Sequence, residues 1–353
     1  MRVSLKKWAM ALAMIPLMGN VALAETVSIT LVNGHPPVFR WVKHLTNTFI
    51  PAVNKELEGS GITINWSEQY GGSLAKVGGE LEALEEGLAE VAVVPSLFEP
   101  AKLPLQNVSY YTPFGTKDPE KTTKIIDDLH RTVPEMSAAW EKHNMTYLGG
   151  GFGIDDYQLF TTFPVNSVED LKGRKIGTPG AAINWLKGTG AVGVSGNLTK
   201  YYNAIKTGVY DGAIVFVSAA LPAKLFEVAP YVTRVSFGSP YVGGMAANKE
   251  WYDSQPEALK KALKKGAQAY TAAYSADLKA SVTKFTTIME GKGAKFSDFE
   301  AAKRQSWAKN MPNFAMDWAK ALDDKGLAGT KVLKAYMDAQ RTEGVEPLRD
   351  WDK

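Results

Sequence analysis

Three short apolar runs, each separated from the next by a helical stripe, set the limits on what this chain can fold into. Thr26–Val32 (TVSITLV) reads as a buried strand, Ile62–Glu68 as a second and Val91–Pro95 (VAVVP) as a third. Between the first two, Phe39, Val42, Leu45, Phe49 and Val53 fall on one face of a helix, which Pro51 should kink. Leu81, Leu84 and Leu88 mark the helix before the third strand. Strands alternating with helices of this length make parallel βαβ units, so the fold class is α/β.

A second β/α block begins near Met145. Thr146–Leu148 and Tyr157–Thr162 read as strands around a glycine-rich loop, GGGFGIDD. Arg174–Thr178 and Tyr210–Val217 are further strands, with helices over 181–187 and 198–206 between them. From Pro256 one long helix reaches about Met289, where Gly291 and Gly293 stop it. Asp298–Tyr336 is helical again, with Trp307, Phe314 and Trp318 as packing anchors. In open α/β sheets ligands bind beyond the carboxyl ends of the strands. Two such sheets with facing crevices would form a clamshell.

The N-terminus reads as a secretory leader. Arg2, Lys6 and Lys7 precede the apolar stretch Trp8–Met18, and Ala22-Leu23-Ala24 offers the small residues of a cleavage site. Cleavage there would leave Glu25 first and place the protein in the periplasm. The leader holds three of the 40 basic residues and no acidic one, so 37 basic residues face 37 acidic ones afterwards. A balanced charge gives no footprint for nucleic acid. The chain has no cysteine, so its stability must come from a core, which 45% hydrophobic content can supply.

The sequence offers no catalytic constellation. Four histidines, His35, His44, His130 and His143, lack metal-ligand spacing, and no Gly-x-Ser-x-Gly elbow is present. Gly149–Gly153 matches neither the Walker pattern nor Gly-x-Gly-x-x-Gly. No cofactor, metal or enzymatic activity is expected.

Two stretches carry a resemblance: Asp170–Pro179 (DLKGRKIGTP) and Tyr202–Gly212 (YNAIKTGVYDG). With Asn33–Pro37, Tyr70–Gly72, Glu80–Val94, Lys224–Tyr231 and Asn248–Trp251 in order, the chain resembles the solute receptors of TRAP transporters (tripartite, ATP-independent periplasmic transporters), DctP type. The resemblance implies a two-lobe clamshell like that of periplasmic binding proteins, with a long bridging helix. Carried over, it divides the chain into a leader at 1–24, one lobe over 25–125 plus 213–250, and a second over 126–212 plus 251–353. It also implies a small-molecule ligand, an organic acid being the commonest, and membrane permease subunits as partners driven by an ion gradient.

The same resemblance marks candidate ligand contacts: Asn33, Ser96, Phe98, Phe114, Asp156, Tyr157, Trp185, Phe216 and Tyr241. Asn33 is equally a turn asparagine, Ser96 a helix cap, and the aromatic residues core. The family's carboxylate-clamping arginine falls at Gly177, and its ligand-binding asparagine at Val215. A diacid held here would be desolvated without compensation. An aromatic box, joined by Asp155 or Asp156, would instead suit an amine, a zwitterion or a neutral ring. An enzyme on the same scaffold is the rival from another class, and no base–nucleophile pair supports it.

Overall fold

The computed structural model describes residues 25–353, so the leader read at 1–24 lies outside the described residues. Among the described residues, eleven strands form two sheets. The first contains β1 (Glu25–Asn33), β2 (Ile62–Tyr70), β3 (Val91–Val94), β4 (Met145–Gly153) and β10 (Tyr241–Asn248), in the order β2-β1-β3-β10-β4. The second contains β5 (Tyr157–Thr161), β6 (Lys175–Thr178), β7 (Val192–Ser195), β8 (Gly212–Phe216), β9 (Tyr231–Arg234) and β11 (Lys295–Asp298), in the order β11-β9-β5-β8-β6-β7.

Each sheet keeps a parallel core, β2-β1-β3 in one and β8-β6-β7 in the other, as βαβ connections require. Antiparallel strands complete both. β10 runs against β3 and β4, and β5 runs against β8 and β9. The residues expected on one face of the first helix, from Phe39 to Val53, are all buried. That helix takes up Pro51 through a wide π-helical turn, Leu45–Phe49, placed directly before Ile50–Glu56.

The lobe boundaries differ from those the resemblance implied. Residue 125 lies inside the helix Pro119–Thr132, and residue 213 inside β8. The chain crosses between sheets at 154–156, from β4 to β5, and again at 235–240, from β9 to β10. The glycine run bears on the first of these. It is no loose loop but the end of β4, paired with β10. A Cβ on Gly153 would come within 2.7 Å of the Pro119 carbonyl, and one on Gly151 within 2.7 Å of the Tyr241 ring. Glycine here lets helix Pro119–Thr132 and Tyr241 press against the strand, and the chain turns to the other sheet only beyond it.

The two crossovers are hydrogen-bonded to each other. Tyr157 N–H donates to Gly238 O at 3.0 Å, and Phe237 N–H donates to Tyr157 O at 3.1 Å. The third connection is the helix Glu257–Gly291, 35 residues and so about 50 Å long. It packs Gly266 against Phe49 and Val53 of the first lobe, then runs past β4 and leads into β11 of the second sheet.

The C-terminal helices Ala301–Asn310, Phe314–Asp323 and Gly329–Thr342 end in a tail that folds back onto the crossover region. Trp351 is fully buried, with its indole N–H on Pro113 O at 2.8 Å and its ring against Phe314. Arg341 holds Asp350 and Asp352 of the same tail.

Candidate ligand-binding site

The carboxyl ends of the parallel strands of both sheets meet at one cavity. β1 delivers His35 to it, and β3 delivers Leu97 and Phe98. From the second sheet, β6 is followed by Pro179, β7 by Asn197 and Leu198, and β8 ends in Ile214, Val215 and Phe216. Trp41, Phe152, Ile154, Tyr157, Tyr201 and Val242 complete the wall. The free space left between these walls is about 30 Å³, room for one water molecule, so the two walls stand nearly closed on each other.

Local structure explains how each polar group arrives. Asn33 makes an Asx turn, its Oδ1 accepting from His35 N–H at 2.9 Å while its side-chain amide holds Val93 O at 3.3 Å. The turn aims His35 from the end of β1 at the cavity, edge-on to Phe39 and Trp41. Burial lowers the His35 pKa to about 4, so the imidazole is neutral at pH 7. Its ring makes no hydrogen bond among the described residues. Tyr157 shares a hydroxyl–hydroxyl bond of 3.2 Å with Tyr110. Asn197 is spent on capping its own helix, accepting from Thr199 N–H at 3.1 Å.

Aromatic faces dominate the rest. Trp41 lies 6.2 Å from both Phe152 and Phe216, ring centre to ring centre, which joins walls from the two lobes. Phe216 meets Tyr157 edge-on at 5.3 Å. Among the described residues, no Lys, Arg, Asp or Glu lines the cavity.

Of the residues marked in the sequence, Phe98, Tyr157 and Phe216 line the cavity, and six do not. Asn33 acts one step back, through its turn. Ser96 donates to Val242 O at 3.2 Å and pins β3 to β10. Phe114 packs on Phe237 and Trp307 beside the second crossover. Trp185 stacks on Tyr110 and Phe237, with its N–H on Tyr110 O at 2.7 Å. Tyr241 bonds the Tyr147 hydroxyl at 3.0 Å. Asp156 accepts Gly238 N–H at 2.8 Å, and Asp155 accepts Ser218 N–H at 3.1 Å. Both carboxylates hold backbone, so neither stands in the wall as a partner for an ammonium. Lys187 lies over the Phe314 ring, away from the cavity.

His35, Trp41 and Phe152 were not marked. His35 could have been found, because it follows a turn asparagine at a strand's carboxyl end. Trp41 and Phe152 reach the wall only through the packing of a helix and a glycine-rich strand end, which no local signal reveals. Tyr201 explains Gly177. A Cβ on Gly177 would come within 3.0 Å of the rings of Tyr201 and Tyr210, so the volume a side chain would need there is already filled.

Solved structures of similar fold cover nearly the whole chain. An extracytoplasmic solute receptor of Bordetella pertussis that binds pyroglutamic acid is 17% identical, with a TM-score of 0.77 over 90% of this chain and 100% of that one. A TRAP solute-binding protein of Rhodoferax ferrireducens, in complex with copurified benzoate, is 16% identical, with a TM-score of 0.79 over 90% and 98%. One from a Sulfitobacter species, with bound β-D-galacturonate, is 18% identical, with a TM-score of 0.74 over 87% and 99%. No curated protein sequence matches. The model of the bacterial extracellular solute-binding proteins, family 7 (DctP), matches residues 40–321, and the chain belongs to that family.

Proposed function

We propose that this protein is the periplasmic receptor of a TRAP-type transporter and that its ligand is a small, uncharged molecule built around an apolar ring. The absence of any charged side chain from the cavity wall among the described residues carries this reading. A carboxylate enclosed there would lose its hydration without a countercharge, at several kcal/mol. An ammonium would face the same loss, because Asp155 and Asp156 are committed to backbone N–H groups. A ring gains instead from the faces of Trp41, Phe152 and Phe216.

Binding works by lobe closure. The wall is drawn from both lobes, and the lobes are joined by two bonded crossovers and one helix. A ligand that touches both walls stabilises the shut form only as far as its contacts there exceed those in the open form. The closed receptor then presents its cargo to membrane permease subunits, with an ion gradient driving uptake.

The test is native mass spectrometry of protein secreted to the periplasm, followed by identification of whatever is released. An uncharged ring compound supports the reading. A carboxylic acid or an amine overturns the ligand class and leaves the receptor role standing.

A further inference from the structure

Tyr201 sits in a cradle made by two glycines. Its Cε1 lies 3.0 Å from where a Cβ would stand on Gly177 and 2.8 Å from where one would stand on Gly196. Tyr210 closes the other flank, its ring 3.0 Å from the same Gly177 position and its hydroxyl 3.2 Å from the Gly196 position. Gly177 belongs to β6, and Gly196 directly follows β7. Any side chain at either position would push the ring aside, so the glycines fix where Tyr201 stands.

The hydroxyl at the end of that ring has no partner. It is wholly buried and makes no hydrogen bond among the described residues. Its neighbours are satisfied: the Tyr157 and Tyr110 hydroxyls bond each other at 3.2 Å, and the Tyr210 hydroxyl donates to Ser195 O at 3.4 Å. Burial holds the phenol far above its ordinary pKa, so it stays a donor at any physiological pH. Buried polar groups are nearly always bonded, and an orphan in a ligand cavity calls for an acceptor that the protein does not supply.

We infer that Tyr201 is the specificity-determining donor of the site and that the ligand offers it one uncharged acceptor, a carbonyl or ether oxygen carried on the ring. This deepens the uncharged-ring reading above and rests on it. The acceptor is neutral because a phenol neutralises no charge, and no cation lines the wall. A ring without the oxygen would still fill the apolar part but would leave the hydroxyl unpaired. Sites built this way discriminate strongly against the analogue that lacks the bonding group.

The experiment is isothermal titration of the wild type and Tyr201→Phe with three probes: acetophenone, ethylbenzene and benzoate. The phenylalanine keeps the ring in its cradle and removes only the hydroxyl. Wild type is expected to bind acetophenone at least tenfold more tightly than ethylbenzene. In Tyr201→Phe that advantage should shrink below threefold while ethylbenzene affinity holds, which also shows that the variant is folded. An acetophenone advantage that survives in Tyr201→Phe overturns the role of Tyr201 and leaves the uncharged-ring reading intact. Benzoate as the tightest of the three, or no binding of any probe at millimolar concentration, overturns both.

Discussion

The Asp156 carboxylate accepts the Gly238 N–H at 2.8 Å, a bond between the two chain crossovers. Asp156 therefore clasps the two crossovers together through a backbone N–H. Hydrogen bonds to a charged acceptor contribute about 1.5–3 kcal/mol. Asp156→Ala should lower unfolding stability by about 2 kcal/mol, measured by urea denaturation. Affinity for the copurifying ligand should change by less than about threefold. A tenfold loss of affinity at unchanged stability would move Asp156 into the site.

Its neighbour Asp155 makes the stability pH-dependent. Burial raises the carboxyl pKa to about 6, against the opposing Ser218 bonds. The folded state thus holds a proton that the unfolded state releases near its ordinary value of about 3.9. Stability from this group is full below pH 4 and is lost as pH rises through 6. His35 and His130, both lowered to about 4, act in the opposite direction between pH 4 and 6.5. The clean comparison is therefore with Asp155→Asn, which removes one contribution alone. Relative to wild type, that variant should gain on the order of 2 kcal/mol between pH 4 and pH 6. Urea titrations at both pH values would measure the gain, and a constant difference would contradict it.

Ligand fluorescence should report from Trp41. It lines the cavity, whereas Trp185 stands behind Tyr110 with its N–H already bonded. Trp41→Phe should remove most of the emission change on ligand addition, and Trp185→Phe should leave most of it. The reverse outcome would put the ligand near Trp185.

The tail makes a stability prediction independent of the cleft. Trp351 is fully buried and bonds Pro113 O. Trp351→Ala should cost about 3–5 kcal/mol, as for large-to-small core changes generally. A calorimetric Tm unchanged within one degree would show that the tail is not part of the folded unit.

What the sequence made legible follows physical range. The first strand was expected over Thr26–Val32 and runs Glu25–Asn33; the long helix was expected from Pro256 to Met289 and runs Glu257–Gly291. Both are written locally, in runs of apolar residues with one period. The crossovers differ from the boundaries carried over with the resemblance, and what keeps Gly149–Gly153 in the first sheet is a pairing with β10 between residues nearly a hundred positions apart. The site shows the same divide. Phe98, Tyr157 and Phe216 stand at strand ends, where position alone suggests a role. Asp156 looked free because its partner, Gly238, lies 82 residues away. Tyr201 and Gly177 acquire meaning only together, as ring and cradle.

That pairing restricts how the chain can change. A side chain introduced at Gly177 meets Tyr201 and Tyr210 before it meets any ligand. A large basic residue there would be harmful alone and tolerable only after the rings had given way, and trimming Tyr201 first would open a void between two strands. Each single step is worse than either end point. Changes at Gly177 and at Tyr201 are thus expected to be tolerated together and not singly. A comparison of sequences one position at a time would not detect this dependence.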